Sequence, residues 1–231
     1  MIHPLINAVR RIPTWAEIGI VTGVTFGSFI VSQWTANQSP DLGSGAVVFS
    51  DRRLSGLISW ELLVLFALGF FLWARGWRWQ DLTLSITWRQ SKNGLWLWIG
   101  TNILLWVVSL IAVALIPSMA DSAGNLNFRV SVSLPVIAVL SIVNPIYEEL
   151  ATIVYLFRRL SRLRPQAIVI VSASLRGMVH AYQGAFAMVM IVFLGLVWGC
   201  YYAKYRKLWP LVLAHGLMDF ISLAVATSTG E

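Results

Sequence analysis

Residues 134–157 read LPVIAVLSIVNPIYEELATIVYLF. The run is apolar and long enough to cross a bilayer, for which a helix needs about 20 mainly apolar residues. Yet it holds two adjacent carboxylates, Glu148 and Glu149, with Pro145 just before them. Charged groups at membrane depth cost at least about 2.5–3.5 kcal/mol each, so a chain that keeps them there uses them. Pro145 removes a backbone donor and is expected to kink or loosen the helix at that point. Freed backbone groups at such depth are tolerated where protein or water covers them. Neighbouring helix positions point about 100° apart, so the two carboxylates face different surroundings. One is expected to do chemistry while the other holds a structural partner; the alternative is that both are locked in hydrogen bonds between helices.

The rest of the chain reads the same way. Of 231 residues, 58% are hydrophobic and 12% charged, with a mean hydropathy of +0.73. Soluble domains average roughly 25% charged residues, so the solvent for most of this surface is lipid. Twelve Trp agree, since indole rings collect at the headgroup level. The net charge of +7 is spread in short clusters between apolar runs, which marks loop orientation signals and excludes a nucleic-acid patch. The single cysteine, Cys200, lies in an apolar run and leaves no disulfide framework.

Seven segments are predicted to span: 16–34, 56–74, 94–116, 134–157, 166–184, 185–203 and 208–227. The fold class is therefore an all-α polytopic transmembrane helix bundle. It forms one membrane domain over 1–231, with N-terminal spans and an interfacial loop in 1–133 and a core in 134–227. The first apolar stretch follows Arg10 and Arg11 and reads as a retained span, because further spans follow it. The fifth and sixth spans are parted by little more than Gln183-Gly184, which predicts a tight hairpin or a broken helix. Counting loops from a cytoplasmic N-terminus, the inside segments carry most of the Arg and Lys. These are Arg10 and Arg11; Arg75, Arg78, Arg89 and Lys92; Arg158, Arg159, Arg162 and Arg164; and Lys204, Arg206 and Lys207. The outside loops hold Arg52, Arg53 and Arg129. This alternation predicts an N-terminus inside and a C-terminus outside. The loop 75–93 mixes Trp and Arg with aliphatic residues and is expected to lie at the interface.

Further ionisable residues fall in the later spans. Arg176 and His180 share one face of the fifth at i, i+4, and the stretch around them is rich in small residues that allow close helix approach. An Arg at that depth needs an anion, and the carboxylates near it in depth are Glu148, Glu149 and Asp219. His215 and Asp219 repeat the i, i+4 spacing in the seventh span. Glu17 and Glu61 lie closer to span ends and are expected to reach the interface. The set of Glu, His, His and Asp suits a carboxylate base that activates water with an oxyanion held by histidines. It equally suits a zinc site with an open position, with His180, His215, Asp219 and Glu148 as ligands. There is no HExxH motif and no Ser/Lys dyad stands out.

In this order the motifs resemble the CAAX-protease and bacteriocin-processing (CPBP) family of intramembrane proteases, whose pattern is EExxxR, FxxxH and HxxxN/D. Here the pattern falls on Glu148-Glu149, on His180 and on His215 with Asp219. Its flanks match as well, in Tyr182-Gln183-Gly184 and in Leu208-Trp209-Pro210-Leu211-Val212-Leu213-Ala214-His215-Gly216. The likeness covers about 134–220, with a weaker one in the Gly-Trp loop near 76–84. Two positions depart: the Arg of EExxxR falls at Ile153, and the Phe of FxxxH at Arg176. Arg176 is expected to replace the lost Arg as the partner of Glu149.

The resemblance implies an intramembrane endopeptidase in a prokaryotic plasma membrane, acting on a membrane-associated peptide or lipoprotein. It implies Glu148 as the base that activates water, His180 assisting, and His215 with Asp219 positioning the oxyanion or completing a metal site. A divalent metal such as zinc is one implied cofactor state, and a metal-free site is the other. The competing readings are an inactive immunity or scaffold protein of the same fold and a small proton-coupled transporter. The lack of an inverted repeat argues against the transporter.

Overall fold

The computed structural model describes residues 2–36, 47–124 and 128–229, with the backbone alone described at 2–5, 28, 29, 31–36, 47, 124 and 128. Ten α-helices follow one another in these residues: α1 Ile2–Arg10, α2 Thr14–Ala36, α3 Asp51–Ala74, α4 Trp88–Leu115, α5 Pro117–Gly124, α6 Leu134–Glu149, α7 Leu156–Arg159, α8 Pro165–Val179, α9 Ala185–Tyr205 and α10 Trp209–Thr229. A π-helical stretch, Leu150–Tyr155, joins α6 to α7 without a break. All seven predicted segments are helical, and the protein is an all-α bundle.

The count of seven spans is met in part. Among the described residues five helices are long and apolar enough to cross a membrane: α3, α4, the continuous Leu134–Arg159, α9 and α10. Helix α8 stops after 15 residues, which rise about 22 Å where the hydrocarbon core is about 30 Å thick. It ends because His180–Gln183 close into a tight turn and Gly184 takes φ +94°, open to a residue without Cβ. Helices α8 and α9 thus form the tight hairpin. The first predicted span is the 23-residue α2, part of whose side chains lie outside the described residues.

The expected disruption at Pro145 is also moved. Helix α6 runs through Pro145, and the widening comes one turn later, at 150–155. The Ser141 carbonyl, which Pro145 cannot bond, is covered instead by α10: a Cβ on Gly216 would run into that oxygen. Lipid is as apolar as Leu, so helix association in a bilayer rests on close packing more than on apolar burial. The same device seats α9 on α8, where a Cβ on Gly195 would lie 2.9 Å from Ala173 Cα and one on Gly199 3.0 Å from Val169 Cγ1.

Two structures close the ends of the bundle. At one, β1 Val47–Ser50 pairs in parallel with β2 Phe128–Ser131, a ladder that the sequence reading did not anticipate. Asp51 Oδ1 accepts from Ser133 N at 2.7 Å, tying the start of α3 to the start of α6. At the other end Glu17 is fully buried and joined to Arg75 and Arg159, each at 2.5 Å. Glu17, expected to reach the interface, is met at this end by two guanidiniums inside the protein. Trp77 stacks on Tyr155 beneath Arg158 and Arg159. Arg158 also pairs with Asp81, in the loop between α3 and α4, and this bond holds the Asp81 carboxyl below its usual range. Exposed Trp15, Trp73, Trp79 and Trp88 ring the same Arg-rich end, as indoles do at a headgroup boundary.

Gly216→Ala is expected to destabilise the protein by about 1–3 kcal/mol, through the clash with Ser141. Gly56→Ala, where a Cβ meets nothing within 4 Å, is expected to be neutral or slightly stabilising. Thermal unfolding of the two variants in detergent measures the difference.

Candidate active site

The π-helical stretch sets the site. In a widened turn the backbone groups lose their regular partners, and side chains take over here. Thr152 Oγ1 donates to Glu148 O at 2.7 Å, and Ser172 Oγ from α8 donates to Thr152 O at 2.6 Å. Helix α8 is held there by small residues, and from its last turn Arg176 reaches back to the carboxylates.

Glu149 is fully buried and receives two donors on Oε1: Arg176 Nη2 at 2.7 Å and His215 Nδ1 at 2.8 Å. Arg176 Nη2 also donates to Thr152 Oγ1 at 2.9 Å, and its guanidinium lies 5.3 Å from the Trp198 ring centre. Trp198, itself fully buried and anchored by Nε1 to Thr101 Oγ1 at 3.1 Å, also packs against the His215 ring at 5.4 Å. Ile153, at the position of the family's Arg, is fully buried in the apolar core. The positive charge on Glu149 comes from Arg176.

Glu148 is held far more loosely. Its Oε2 lies 3.5 Å from Arg176 Nη1, and its Oε1 lies 3.8 Å from His180 Nε2, beyond a hydrogen bond. His180 caps α8, with Nδ1 2.9 Å from Arg176 O; a proton on Nδ1, assigned from that contact, leaves Nε2 as an acceptor toward Glu148. Asp219 Oδ2 accepts from Asn144 Nδ2 at 3.2 Å, and its Oδ1 stands 3.6 Å from His215 Nε2. Glu148, His180, His215 and Asp219 line one cavity of about 320 Å³, while Glu149 and Arg176 sit behind its wall. All six site residues singled out in the sequence are thereby brought together.

The sequence reading missed three participants. Thr152 and Asn144 complete the hydrogen bonding of Arg176 and Asp219. Glu61, expected at the interface, is instead 1% exposed and lines the cavity. The signal lay upstream: Ser50 and Asp51 are a helix cap and an acidic first turn, so α3 begins at 51 rather than 56 and carries Glu61 to mid-helix.

The residues do not fit a metal ion in this arrangement. Among the described residues no group of three His, Cys, Asp or Glu side chains is disposed to hold one. His215 faces carboxylates from both ring nitrogens, and the Arg176 guanidinium stands between Glu148 and Glu149 where a cation would compete with it.

These motifs all fall within one matched region. Residues 130–221 match the family model Rce1-like, type II CAAX prenyl endopeptidase. That match is consistent with the CPBP family and covers every site residue named above except Glu61 and Thr101. No curated protein and no solved structure matches the chain.

Replacing Arg176 by Gln leaves Glu149 buried without its cation, and about 3–5 kcal/mol of stability is expected to be lost. Arg176→Lys is expected to restore part of it. Unfolding in detergent, measured for both variants against the parent, reads this directly.

Proposed function

We propose that the protein is an intramembrane endopeptidase in which Glu148 activates a water against a peptide carbonyl. The observation that carries this reading is the asymmetry of the two glutamates. Glu149 is held through Oε1 by both Arg176 and His215, whereas Glu148 lines the cavity with His180 Nε2 3.8 Å from its Oε1. A base must reach its proton, and a carboxylate fixed by a buried arginine is poorly suited to leave that contact.

In the proposed reaction the Glu148 carboxylate takes a proton from water held against His180, and the oxygen adds to the carbonyl carbon. The tetrahedral oxyanion forms beside Asn144 and His215, which Asp219 and Glu149 orient. Glu148 then returns the proton to the leaving nitrogen, so the carboxylate is regenerated as the peptide bond breaks. Every step uses the chain's own groups. Arg176 takes the place of the family's Arg, which supports activity despite Ile153.

The match to a prenyl endopeptidase family and the apolar cavity walls support a membrane-associated peptide or lipoprotein as substrate. The gathering of Arg and exposed Trp at one end supports placing that end, with the N-terminus, inside the cell and the C-terminus outside. The family and the short loops support a prokaryotic plasma membrane, and the single bundle supports one domain with its core in 134–227.

In cells expressing wild type or Glu148→Ala, mass spectrometry of intact membrane peptides is expected to show at least one precursor that accumulates in the variant and is shortened in wild type. Identical peptide profiles with both proteins folded in the membrane would contradict the reading and favour an inactive protein of this fold.

A further inference from the structure

Helix α3 lies outside the matched region, yet it brings one more ionisable group to the cavity. Glu61 is 1% exposed and lines the cavity with Glu148, His215 and Asp219. Its Oε2 has no hydrogen-bond partner among the described residues. A buried polar group is ordinarily satisfied, and one left without a donor calls for a reason. Nothing nearby supplies it. The cavity is lined by three carboxyl groups, Glu61, Glu148 and Asp219, and among the described lining residues there is no Lys or Arg. Arg176, the guanidinium behind the wall, is engaged with Glu149 and Thr152. The hollow thus sets three carboxyl groups against two imidazoles, His180 and His215, in a chain of net charge +7.

The walls also carry polar groups such as Asn144, His180 and Gln183, but they are mostly apolar, with Phe26, Leu54 and Leu57 among them. Apolar walls ending on an unpartnered carboxyl oxygen suit a group with a long aliphatic stem and a cationic head. We propose that Glu61 is a specificity residue that receives a lysine or arginine side chain of the bound peptide. The inference rests on the peptidase reading for the identity of the ligand as a substrate. It does not need that reading for binding itself.

The test uses full-length protein in detergent micelles, carrying Glu148→Gln to prevent turnover. The probes are fluorescein-labelled 20-residue apolar peptides in which a single lysine is walked along the chain, each paired with a peptide carrying norleucine at the same place. At one or two adjacent positions lysine is expected to bind on the order of 10-fold more tightly than norleucine, the worth of one charge-assisted hydrogen bond out of water. Adding Glu61→Gln is expected to erase that ratio, and Glu61→Asp to reduce it. The same peptides are incubated with protein that retains Glu148, and cleavage is read by mass spectrometry.

No lysine preference at any position, or a preference that survives Glu61→Gln, would overturn the inference. Cleavage without a lysine preference counts against the role of Glu61 alone. A preference that Glu61→Gln removes, in a protein that cuts no peptide, upholds it and counts against the peptidase reading instead. Should Glu61→Gln fail to fold, the Glu61→Asp ratio carries the same decision.

Discussion

Arg176 and Glu149 meet at 2.7 Å inside a bundle whose solvent is lipid, both almost completely removed from any surface. Neither charge is tolerable there alone, since breaking a buried pair leaves an ion with no compensation. The pair therefore dictates where α8 sits against the π-helical stretch. Thr152 and Ser172 add hydrogen bonds that hold the same contact. His215, donating to the same Glu149 oxygen, brings α10 into register with them. Three chain segments far apart in sequence are thus fastened at one carboxylate.

What the pair leaves free is as informative as what it fixes. With Arg176 committed to Glu149, its neighbour Glu148 has only a long contact to the guanidinium and none within hydrogen-bond range to His180. Adjacent residues of one helix face different surroundings because each turns about 100° from the last. One carboxylate is thereby built into the wall and the other opens on the cavity. At the Arg-rich end a second buried carboxylate, Glu17, joins Arg75 and Arg159. It pins α2 to the ends of α3 and α7 and lines no cavity described above.

Much of this was legible in the sequence, and the reasons are physical. Apolar length marks helices in lipid because every backbone group must be satisfied within the segment, so all seven predicted segments are helical. Ionisable residues at depth are expensive, which singled out Glu148, Glu149, Arg176, His180, His215 and Asp219 before any geometry was known. The failures have causes as well. Hydropathy counted 166–184 as a span, but it cannot see that Gly184 turns the chain and leaves α8 at 15 residues. Pro145 drew attention to the wrong turn, because Gly216 lets α10 cover the orphaned carbonyl and the helix need not break. Glu61 and Glu17 were assigned by distance from span ends. Their burial depends on which helix faces them, and spacing along one chain does not contain that. The parallel ladder of Val47–Ser50 with Phe128–Ser131 joins two short loops and left no periodic signal.

The central claim is a division of labour between neighbouring glutamates. It is tested most directly by measuring, side by side, the unfolding temperature and the peptide-cleaving activity of Glu148→Gln and Glu149→Gln. The account predicts that Glu148→Gln unfolds at the parent temperature and loses cleavage, while Glu149→Gln unfolds markedly earlier. A Glu149→Gln protein as stable as the parent, or a Glu148→Gln protein that still cleaves, would contradict it.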